Sequence, residues 1–400
     1  MKWNNVKLED VCLSITDGDH QSLPLAKTGI PFIVIADINS NNRIEFEKAR
    51  YVPIDYYDKL DEKRKPQRGD VLLTVKGSFG IPVYIADDAP FVFQRDIAIL
   101  KCNEKINSKF LFYYMKNREF YLYADSIAIG AAQRALTLKA LKNTIIKLPP
   151  LEVQNRIVGL LSPYDDLIEN SQKQIKLLEE AAQRLYKEWF VDLRFPGHET
   201  TPIVDGVPEG WVDRKFSDVV SIMSGGTPKT DNKEYYDGII PFYTPKDSDG
   251  AFFAFDTITH ISQSGMEHCN SQLYPAGTVI ITARGTVGKT TILAVPMAMN
   301  QSCYALKCDD LNSPYYLFFA LNREVEKLKT MANGGVFNTI IVKTFEQISL
   351  MVPPKDVLES FEVVVSPFME QIKSRMRQIE LLRETRDRLL PKLMNGEIEV

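Results

Sequence analysis

The sequence predicts an α+β protein: two similar mixed α/β domains separated by an antiparallel two-helix coiled coil, with a pseudo-two-fold internal repeat. Two observations favour this fold. Sequence patterns of the first half recur in the second half. In addition, one long segment in the middle and one at the end carry apolar residues at alternating steps of four and three, which is typical of a coiled-coil seam.

The composition is that of an ordinary globular protein with two or three domains. The chain has 400 residues, 44% of them hydrophobic, and a formal net charge of -4. That balance neither requires nor excludes a nucleic-acid partner, because binding to DNA needs local basic patches and not a basic total. We find neither a signal-peptide pattern nor an apolar stretch long enough to span a membrane. The five cysteines are few, odd in number and not paired at short spacing, which favours a reducing, cytoplasmic setting.

The repeat is visible in matched strings. KLEDVCLSITDG, from Lys7, resembles KFSDVVSIMSGG, from Lys215, and GDVLLTVKGSFG, from Gly69, resembles GTVIITARGTVG, from Gly277. The aromatic helix pattern KFLFYYMKN, from Lys109, parallels PYYLFFALN, from Pro314. We therefore predict four segments: a globular domain at residues 1–148, a helical spacer at 149–195, a linker with a second globular domain at 196–352, and a second helical spacer at 353–400.

The two helical spacers share one spacing. Pro149 and Pro353, like Ser162 and Ser366, lie 204 positions apart. We expect Ser162 to cap a helix that starts at Pro163, after a separate short helix at residues 154–161. The seam of the first spacer and its counterpart 204 positions later are Ile157, Leu161, Tyr164, Ile168, Ser171, Ile175, Leu178, Ala182, Leu185 and Trp189, then Phe361, Val365, Phe368, Ile372, Arg375, Ile379, Leu382, Arg386, Leu389 and Leu393.

Pairing of the two spacers with each other is favoured by their charges. Residues 163–189 contain six acidic and four basic residues, whereas residues 367–393 contain four acidic and seven basic ones. A 30-residue helix spans roughly 45 Å, and DNA half-sites one helical turn apart lie about 34–36 Å apart, so the pair could hold two domains at a fixed spacing on a duplex. A homo-oligomeric coiled coil, and a duplication without functional symmetry, stay open as alternatives. Arg375 and Arg386 are unusual in a dry seam and could instead face partner subunits.

Two motifs suggest chemistry without supporting it. ARGTVGKT, residues 283–290, resembles a phosphate-binding loop, but TILAVPMAMN follows it where a helix should begin, so a strand–turn–strand is the better interpretation. His260, His268 and Cys269 lack the spacing of a zinc site. We find no set of nucleophile, base and orienting residue, and therefore expect no enzyme, no catalytic residue and no metal site in this chain.

Polar, glycine-containing loops recur in both globular regions and favour nucleic-acid binding. Their side chains can bond base edges or phosphates. The predicted DNA-binding residues are Lys27, Lys76, Ser78, Gln94, Arg95, Gln133 and Arg134 in the first half, and Thr227, Lys229, Lys246, Arg284, Thr286, Lys289, Gln301, Asn333 and Asn338 in the second.

Several strings resemble one known family. The run IKLPPLEVQNRIVGLL to WFVDLRFPG, ending at Gly197, resembles the central conserved region of type I restriction-modification specificity subunits. The tail QIELLRETRDRLLPKLMNGEIEV, from Gln378, is similar to their distal conserved region, and SGGTPKT, from Ser224, to the start of a target-recognition domain. The first domain departs from that opening, because TDGDHQSLPLAKTG, from Thr16, stands in its place.

The resemblance implies a non-catalytic subunit for DNA sequence specificity. Each of two target-recognition domains would read half of a split, asymmetric sequence in double-stranded DNA, and the helices would set the gap. The helices would also dock two methyltransferase subunits and restriction subunits. S-adenosylmethionine, ATP and Mg²⁺ would be bound by those partners and no cofactor by this chain. Two rivals remain: a coiled-coil scaffold whose globular domains bind protein, and a nucleotide-dependent enzyme that uses residues 283–290.

Overall fold

The computed structural model describes residues 3–20, 23–39, 41–130, 134–308, 311, 313–331 and 339–400. The chain forms two compact units. Unit 1 comprises Met1–Glu169 and Leu381–Val400, and unit 2 comprises Asn170–Glu380. Each unit is therefore assembled from a globular region and from parts of two long helices.

The first globular region mixes short strands and short helices. Its strands are β1 (Asn4–Lys7), β2 (Cys12–Asp17), β3 (Ile30–Ile33), β4 (Arg50–Val52), β5 (Val71–Thr74), β6 (Pro82–Tyr84), β7 (Val92–Phe93), β8 (Ile97–Cys102) and β9 (Ile145–Leu148). Its helices are α1 (Ile54–Asp58), α2 (Ser108–Lys116), α3 (Arg118–Ile127) and α4 (Leu138–Lys142). They lead into the long helix α5 (Leu151–Phe190).

The second globular region repeats this order. Its strands are β10 (Ile203–Val204), β11 (Val207–Pro208), β12 (Val212–Lys215), β13 (Val220–Ser224), β14 (Ile240–Tyr243), β15 (Phe253–Ala254), β16 (His260–Ile261), β17 (Val279–Thr282), β18 (Thr290–Leu293), β19 (Ala298–Met299), β20 (Cys303–Cys308) and β21 (Ser349–Val352). Its helices are α6 (Phe216–Val219), α7 (Gln263–Glu267), α8 (Pro314–Met331) and α9 (Val342–Phe345), and the long helix α10 (Lys355–Met394) follows.

The sheets of the two regions have matching topology. In unit 1 the strand orders are β2-β8-β5-β6, β4-β3-β7 and β1-β9; in unit 2 they are β13-β20-β17-β18-β15, β16-β14-β19 and β12-β21. The matched strings predicted from the sequence fall on equivalent elements, because the strings from Gly69 and Gly277 contain β5 and β17, and the aromatic patterns overlap α2 and α8. The internal repeat is thus confirmed as two mixed α/β regions.

The two long helices run antiparallel within each unit. In unit 1, Asp165 of α5 bonds Arg386 of α10, and nearer the start of α5, Ile157 lies beside Ile398. In unit 2, the ring of Phe190 packs on that of Phe361, whereas Leu177 lies beside Phe368. All ten predicted seam positions of each helix are buried or half-buried, which confirms the coiled-coil pattern.

One prediction about the first long helix is wrong. Pro163 does not start a helix, and residues 154–161 are not a separate one, because α5 is continuous over its 40 residues. Proline costs about 3 kcal/mol in a helix interior. Burial on both sides of the proline outweighs that cost, since Ile157, Leu161 and Ile168 are each at most 4% exposed.

Arg386 also differs from expectation. Its side chain points into the chain and not outward, because the residue is only 8% exposed and the guanidinium bonds Asp165 and Asp387. Burial would lower the pKa of Arg386, but the two carboxylates raise it above its usual value. Arg375 is half-buried, and its Nε has no hydrogen-bond partner within the described part of the chain.

Candidate nucleic-acid interface

Four loops meet at one edge of the second globular region. Ala283 donates its backbone N–H to the carbonyl of Ser302 at 2.7 Å, which ties the β17–β18 turn to the loop before β20. Asn300 donates to Tyr243 at 3.0 Å, which adds the turn after β14. Gly226 donates to Met299 at 3.1 Å and adds the loop after β13. We call residues 225–229, 244–247, 283–288 and 299–302 the four-loop surface of unit 2.

The same loops meet in the first globular region, where two of the three backbone bonds are equivalent and the third joins the same two loops at a different acceptor. Val75 donates to Asp96 at 2.8 Å, and Gln94 donates to Ile33 at 3.0 Å. Gly18 donates to Ile97 at 3.3 Å. We call residues 18–20, 34–37, 75–80 and 93–96 the four-loop surface of unit 1. The repeat therefore extends from the strands to the loops that the strands carry.

Glycine makes the close approach of these loops possible. A Cβ on Gly225 would lie 2.3 Å from the carbonyl oxygen of Met299, and a Cβ on Gly18 would lie 2.3 Å from that of Phe93. No real side chain tolerates such a contact, so each unit needs a glycine where its first and last loops touch. The polar glycine loops noted in the sequence are thus packed against each other.

Most predicted residues of unit 2 lie on its four-loop surface. Thr227, Lys229, Lys246, Arg284, Thr286 and Gln301 are there, and all are exposed. The Thr227 hydroxyl donates to the Gln301 side chain, so two of the predicted base-contacting groups are already oriented by each other. Lys289 follows the surface but lines a cavity against α8. Asn333 and Asn338 lie outside the described residues.

The predicted residues of unit 1 are less uniformly placed. Lys76, Ser78, Gln94 and Arg95 belong to the four-loop surface of unit 1, with Ser78 and Arg95 exposed. Lys27 is exposed on the loop between β2 and β3, outside the residues of that surface.

Arg134 lies beside the turn that carries Lys76, because Leu136 donates its N–H to Val75 at 2.8 Å. Its guanidinium is held by Asp125 at 3.0 Å, so that carboxylate competes with any phosphate for this cation. Gln133 lies outside the described residues.

Sequence reasoning missed two residues that shape these surfaces. Asp247 accepts hydrogen bonds from the backbone and hydroxyl of Thr244 and holds the turn that presents Lys246; the string TPKD carries the signal of such a capping box. In unit 1, Asp19 accepts bonds from Arg64 at 3.2 Å and from Tyr56 at 2.7 Å. The basic run EKRKPQR, which contains Arg64, was the available signal.

The surfaces offer cations and hydrogen-bonding groups, and two titratable groups beside them stay protonated. Burial, with a smaller contribution from Asp247, raises the pKa of the Cys303 thiol to about 12, so it stays protonated. Burial and the bond to Asp19 raise the pKa of Tyr56, which keeps its hydroxyl a donor. Across the described ranges, no group of three or more His, Cys, Asp or Glu residues is placed to hold a metal ion.

The two motifs that suggested chemistry have other structural roles. Residues 283–289 connect β17 and β18, which pair antiparallel, so the predicted strand–turn–strand is confirmed and no helix opens after the turn. His260 bonds Asp256 at 2.7 Å, His268 stacks on Tyr235, and the Cys269 thiol donates to Met266. None of the helices formed by described residues combines the length and apolar content that crossing a bilayer requires.

Known proteins with matching sequences point to one family. The model of the type I restriction modification DNA specificity domain matches residues 1–180 and 208–378. The MjaIX specificity subunit of Methanocaldococcus jannaschii is 27% identical, over 100% of this chain and 94% of that protein. The HindI specificity subunit of Haemophilus influenzae is 24% identical, over 99% of each.

A solved structure shares the fold. The S subunit of a type I restriction-modification system from M. genitalium has a TM-score of 0.63 with 16% identity, covering 98% of this chain and 96% of that one. The family match repeats across the same two halves that carry the two four-loop surfaces. The chain belongs to the family of type I restriction modification DNA specificity domains.

Proposed function

We propose that this chain is the non-catalytic DNA-specificity subunit of a type I restriction-modification complex. Each four-loop surface reads one half of a bipartite, asymmetric target in double-stranded DNA, and the helices α5 and α10 set the gap between the halves. The observation that carries this proposal is the repetition of the same loop convergence in both units, with two matching backbone bonds and different side chains. Two related scaffolds with different loop chemistry suit two different half-sites.

Exposed apolar residues on the helix pair support docking of two methyltransferase subunits. In unit 2 a groove of about 460 Å³ is lined by Leu177, Ala181, Leu185, Val364 and Phe368. Leu177 is 64% and Val364 41% exposed. Their counterparts in unit 1, displaced by 204 positions, are Leu381 and Leu160, which are 49% and 47% exposed. Each unit thus presents a similar apolar stripe, as expected for two copies of one helical partner.

The remaining activities would belong to the partners. Methyltransferase subunits would supply S-adenosylmethionine for adenine methylation, and restriction subunits would supply ATP- and Mg²⁺-dependent translocation and cleavage. The complex would work in the cytoplasm, where its DNA lies. A protein-binding scaffold fits less well, because exposed Lys229, Lys246 and Arg284 on one surface are suited to phosphates and guanines.

Methylome sequencing tests the proposal. The chain is expressed with its methyltransferase partner in a host that lacks other adenine methylation. We expect one methylated motif made of two defined parts and a fixed unspecified gap. Insertion of one heptad within residues 172–186 should change the gap and keep both half-sites. Absence of any methylated motif, with a correctly assembled complex, would favour the scaffold.

Docking is tested separately with Leu177→Asp and Leu381→Asp. Each change places a charge in one apolar stripe, and each should remove one methyltransferase subunit from the complex, as measured by native mass spectrometry. Retention of both subunits in both variants would contradict the assignment of the two stripes. Glu180→Gln, in the groove of unit 2 but without added charge, serves as the matched control.

A further inference from the structure

Unit 2 contains a cavity beside α8, and Gly288 is the residue that it shares with the four-loop surface. It has a volume of about 570 Å³, within the range of small-molecule sites. Its walls come from three places: the last turns of α5, the exposed side of α8, and the loops at Gly250 and Gly288. The inner wall is aromatic, formed by Tyr186, Phe252, Phe318 and Phe319. Such a wall suits a planar ring.

The rim of the cavity is cationic. Lys187, Lys289, Arg323 and Lys329 line it, and Glu326 is the carboxylate among the lining residues. Lys187 is paired with Asp192, and Lys329 with Glu326 at 2.7 Å. Lys289 has no ion pair or side-chain hydrogen bond with any described residue, although it stands beside an otherwise apolar wall. A free ammonium at the mouth of an aromatic cavity favours a ligand that joins a ring to a negative charge.

The position of Lys289 is fixed by the glycine before it. Gly288 has a φ of 76°, and a Cβ there would lie 2.7 Å from Val325 of α8. The turn therefore sits directly on α8 and presents the next residue toward the cavity. Thr290, which follows Lys289, donates its hydroxyl to Asn322 of α8 at 2.5 Å. This bond fixes the end of the turn on α8. Lys289 is thus presented from a turn anchored on both sides.

Unit 1 has a different arrangement at the matching place. The residue after Gly80, which matches Gly288, is Ile81, so the cation is missing there. The ring of Tyr121 lies over Gly80, 2.8 Å from where a Cβ would be, and stacks on Phe79. The free cation beside an aromatic wall is therefore a feature of unit 2 that the internal repeat does not share.

We propose that the unit 2 cavity binds a nucleotide unit, with the base against the aromatic wall and the phosphate at Lys289 and Arg323. The nucleotide comes either free from solution or from a single strand of nucleic acid. Binding alone is inferred, since the turn that carries Lys289 has no helix to cradle a triphosphate. The inference goes beyond the proposed function and does not depend on it.

Calorimetric titration of the full chain tests the inference. The probes are the four nucleoside 5′-monophosphates, adenosine, inorganic phosphate, and a single-stranded tetradeoxynucleotide. We expect at least one monophosphate to bind about tenfold or more tightly than both adenosine and phosphate, because ring and charge are recognised together. Tighter binding of the tetranucleotide than of any monophosphate assigns the ligand to a strand; the reverse assigns it to the free pool.

Variants link the binding to this cavity. Lys289→Ile, which introduces the residue of unit 1, should weaken nucleotide binding about tenfold or more. Gln183→Phe, at the exposed rim on α5, should block entry without removing a charge. Lys327→Ala is the matched control, because it removes a lysine of α8 that does not line the cavity, and it should bind as the unaltered chain does. Circular dichroism checks that each variant is folded.

Three results would overturn the inference: no binding of any nucleotide by the folded chain, binding of phosphate alone as tightly as of nucleotides, or unchanged binding in both Lys289→Ile and Gln183→Phe. The methylome of the unaltered chain is measured in parallel. Loss of a methylated motif is a failure of the proposed function, whereas loss of nucleotide binding leaves the motif in place, so the two failures are distinguishable.

Discussion

The paired helices meet around a charged group in unit 1, whereas the matching positions of unit 2 are apolar. Asp165 accepts hydrogen bonds from Tyr113 at 2.6 Å and Arg386 at 2.5 Å, and Lys116 lies 4.0 Å away. The counterparts in unit 2, taken from the repeat, are Met369, Phe318, Ala182 and Leu321, each at most 1% exposed. The same pairing of helices thus encloses a charged interior in unit 1 and an apolar interior in unit 2.

The difference teaches that the two halves of the repeat cannot be interchanged. If α5 paired with a second copy of itself in the same register, Asp165 would face Ala182 and lose its guanidinium partner. A buried charge without a partner is strongly unfavourable, so the group in unit 1 favours pairing of α5 with α10. The apolar interior of unit 2 contributes stability without that discrimination.

The largest loss of stability is expected from a substitution in the apolar interior of unit 2. Phe361 is fully buried and packs its ring 4.8 Å from that of Phe190. Phe361→Ala should lower the free energy of unfolding by about 3–5 kcal/mol, because it leaves a cavity among aromatic rings. Denaturant unfolding followed by circular dichroism measures this, with the exposed Val364→Ala as control. A loss below about 1 kcal/mol would show that the cluster repacks freely.

A substitution in the charged group of unit 1 should cause a somewhat smaller loss of stability. Replacement of the whole group should restore the stability. Arg386→Met leaves Asp165 buried with only Tyr113 and Lys116 and should cost about 3 kcal/mol. Replacing all four residues by those of unit 2, as Tyr113→Phe, Lys116→Leu, Asp165→Met and Arg386→Ala, should bring stability back to within about 1 kcal/mol of the original. Additive losses in the fourfold variant would contradict the view that this interior tolerates either chemistry.

The pH dependence of unfolding sharpens the comparison further. Burial lowers the pKa of Lys116 to about 8, against a usual 10.5, although Asp165 partly opposes the shift. Between these values the unfolded chain binds more protons, so this group makes the folded state more stable as pH rises above 8. Lys116→Leu should remove that contribution. Relative to the original chain, the free energy of unfolding of the variant should therefore fall by about 1–2 kcal/mol between pH 7 and pH 9.5. An unchanged difference between the two chains over this range would contradict the lowered pKa of Lys116.

Asp165 gives a pH dependence of the same sign, but at low pH. Burial alone would raise its pKa, but Lys116, Tyr113 and Arg386 lower it below the usual value. Its contribution to stability is therefore present above the pKa of the unfolded chain and is lost as pH falls through the folded one. The matching Met369 of unit 2 has no such dependence.

The sequence predicted the elements whose signals are periodic or repeated. The seam from Ile157 to Trp189 follows from heptad spacing, and the loop carrying Arg284 from its match to the loop carrying Lys76. Long-range effects could not be read in the same way. Arg386 meets Asp165 across 221 positions, and the continuity of α5 through Pro163 depends on tertiary burial. The convergence of four loops rests on contacts of Gly18 and Gly225 that no local pattern reports.

The central claim is that each four-loop surface reads its own half-site. The direct measurement is the methylome of a complex that contains Arg284→Ala and Gln301→Ala, compared with one that contains Ser78→Ala and Arg95→Ala. The account predicts that each pair relaxes or changes one half of the motif, a different half in each case, and leaves the gap and the other half unchanged. A change in both halves from either pair would contradict it.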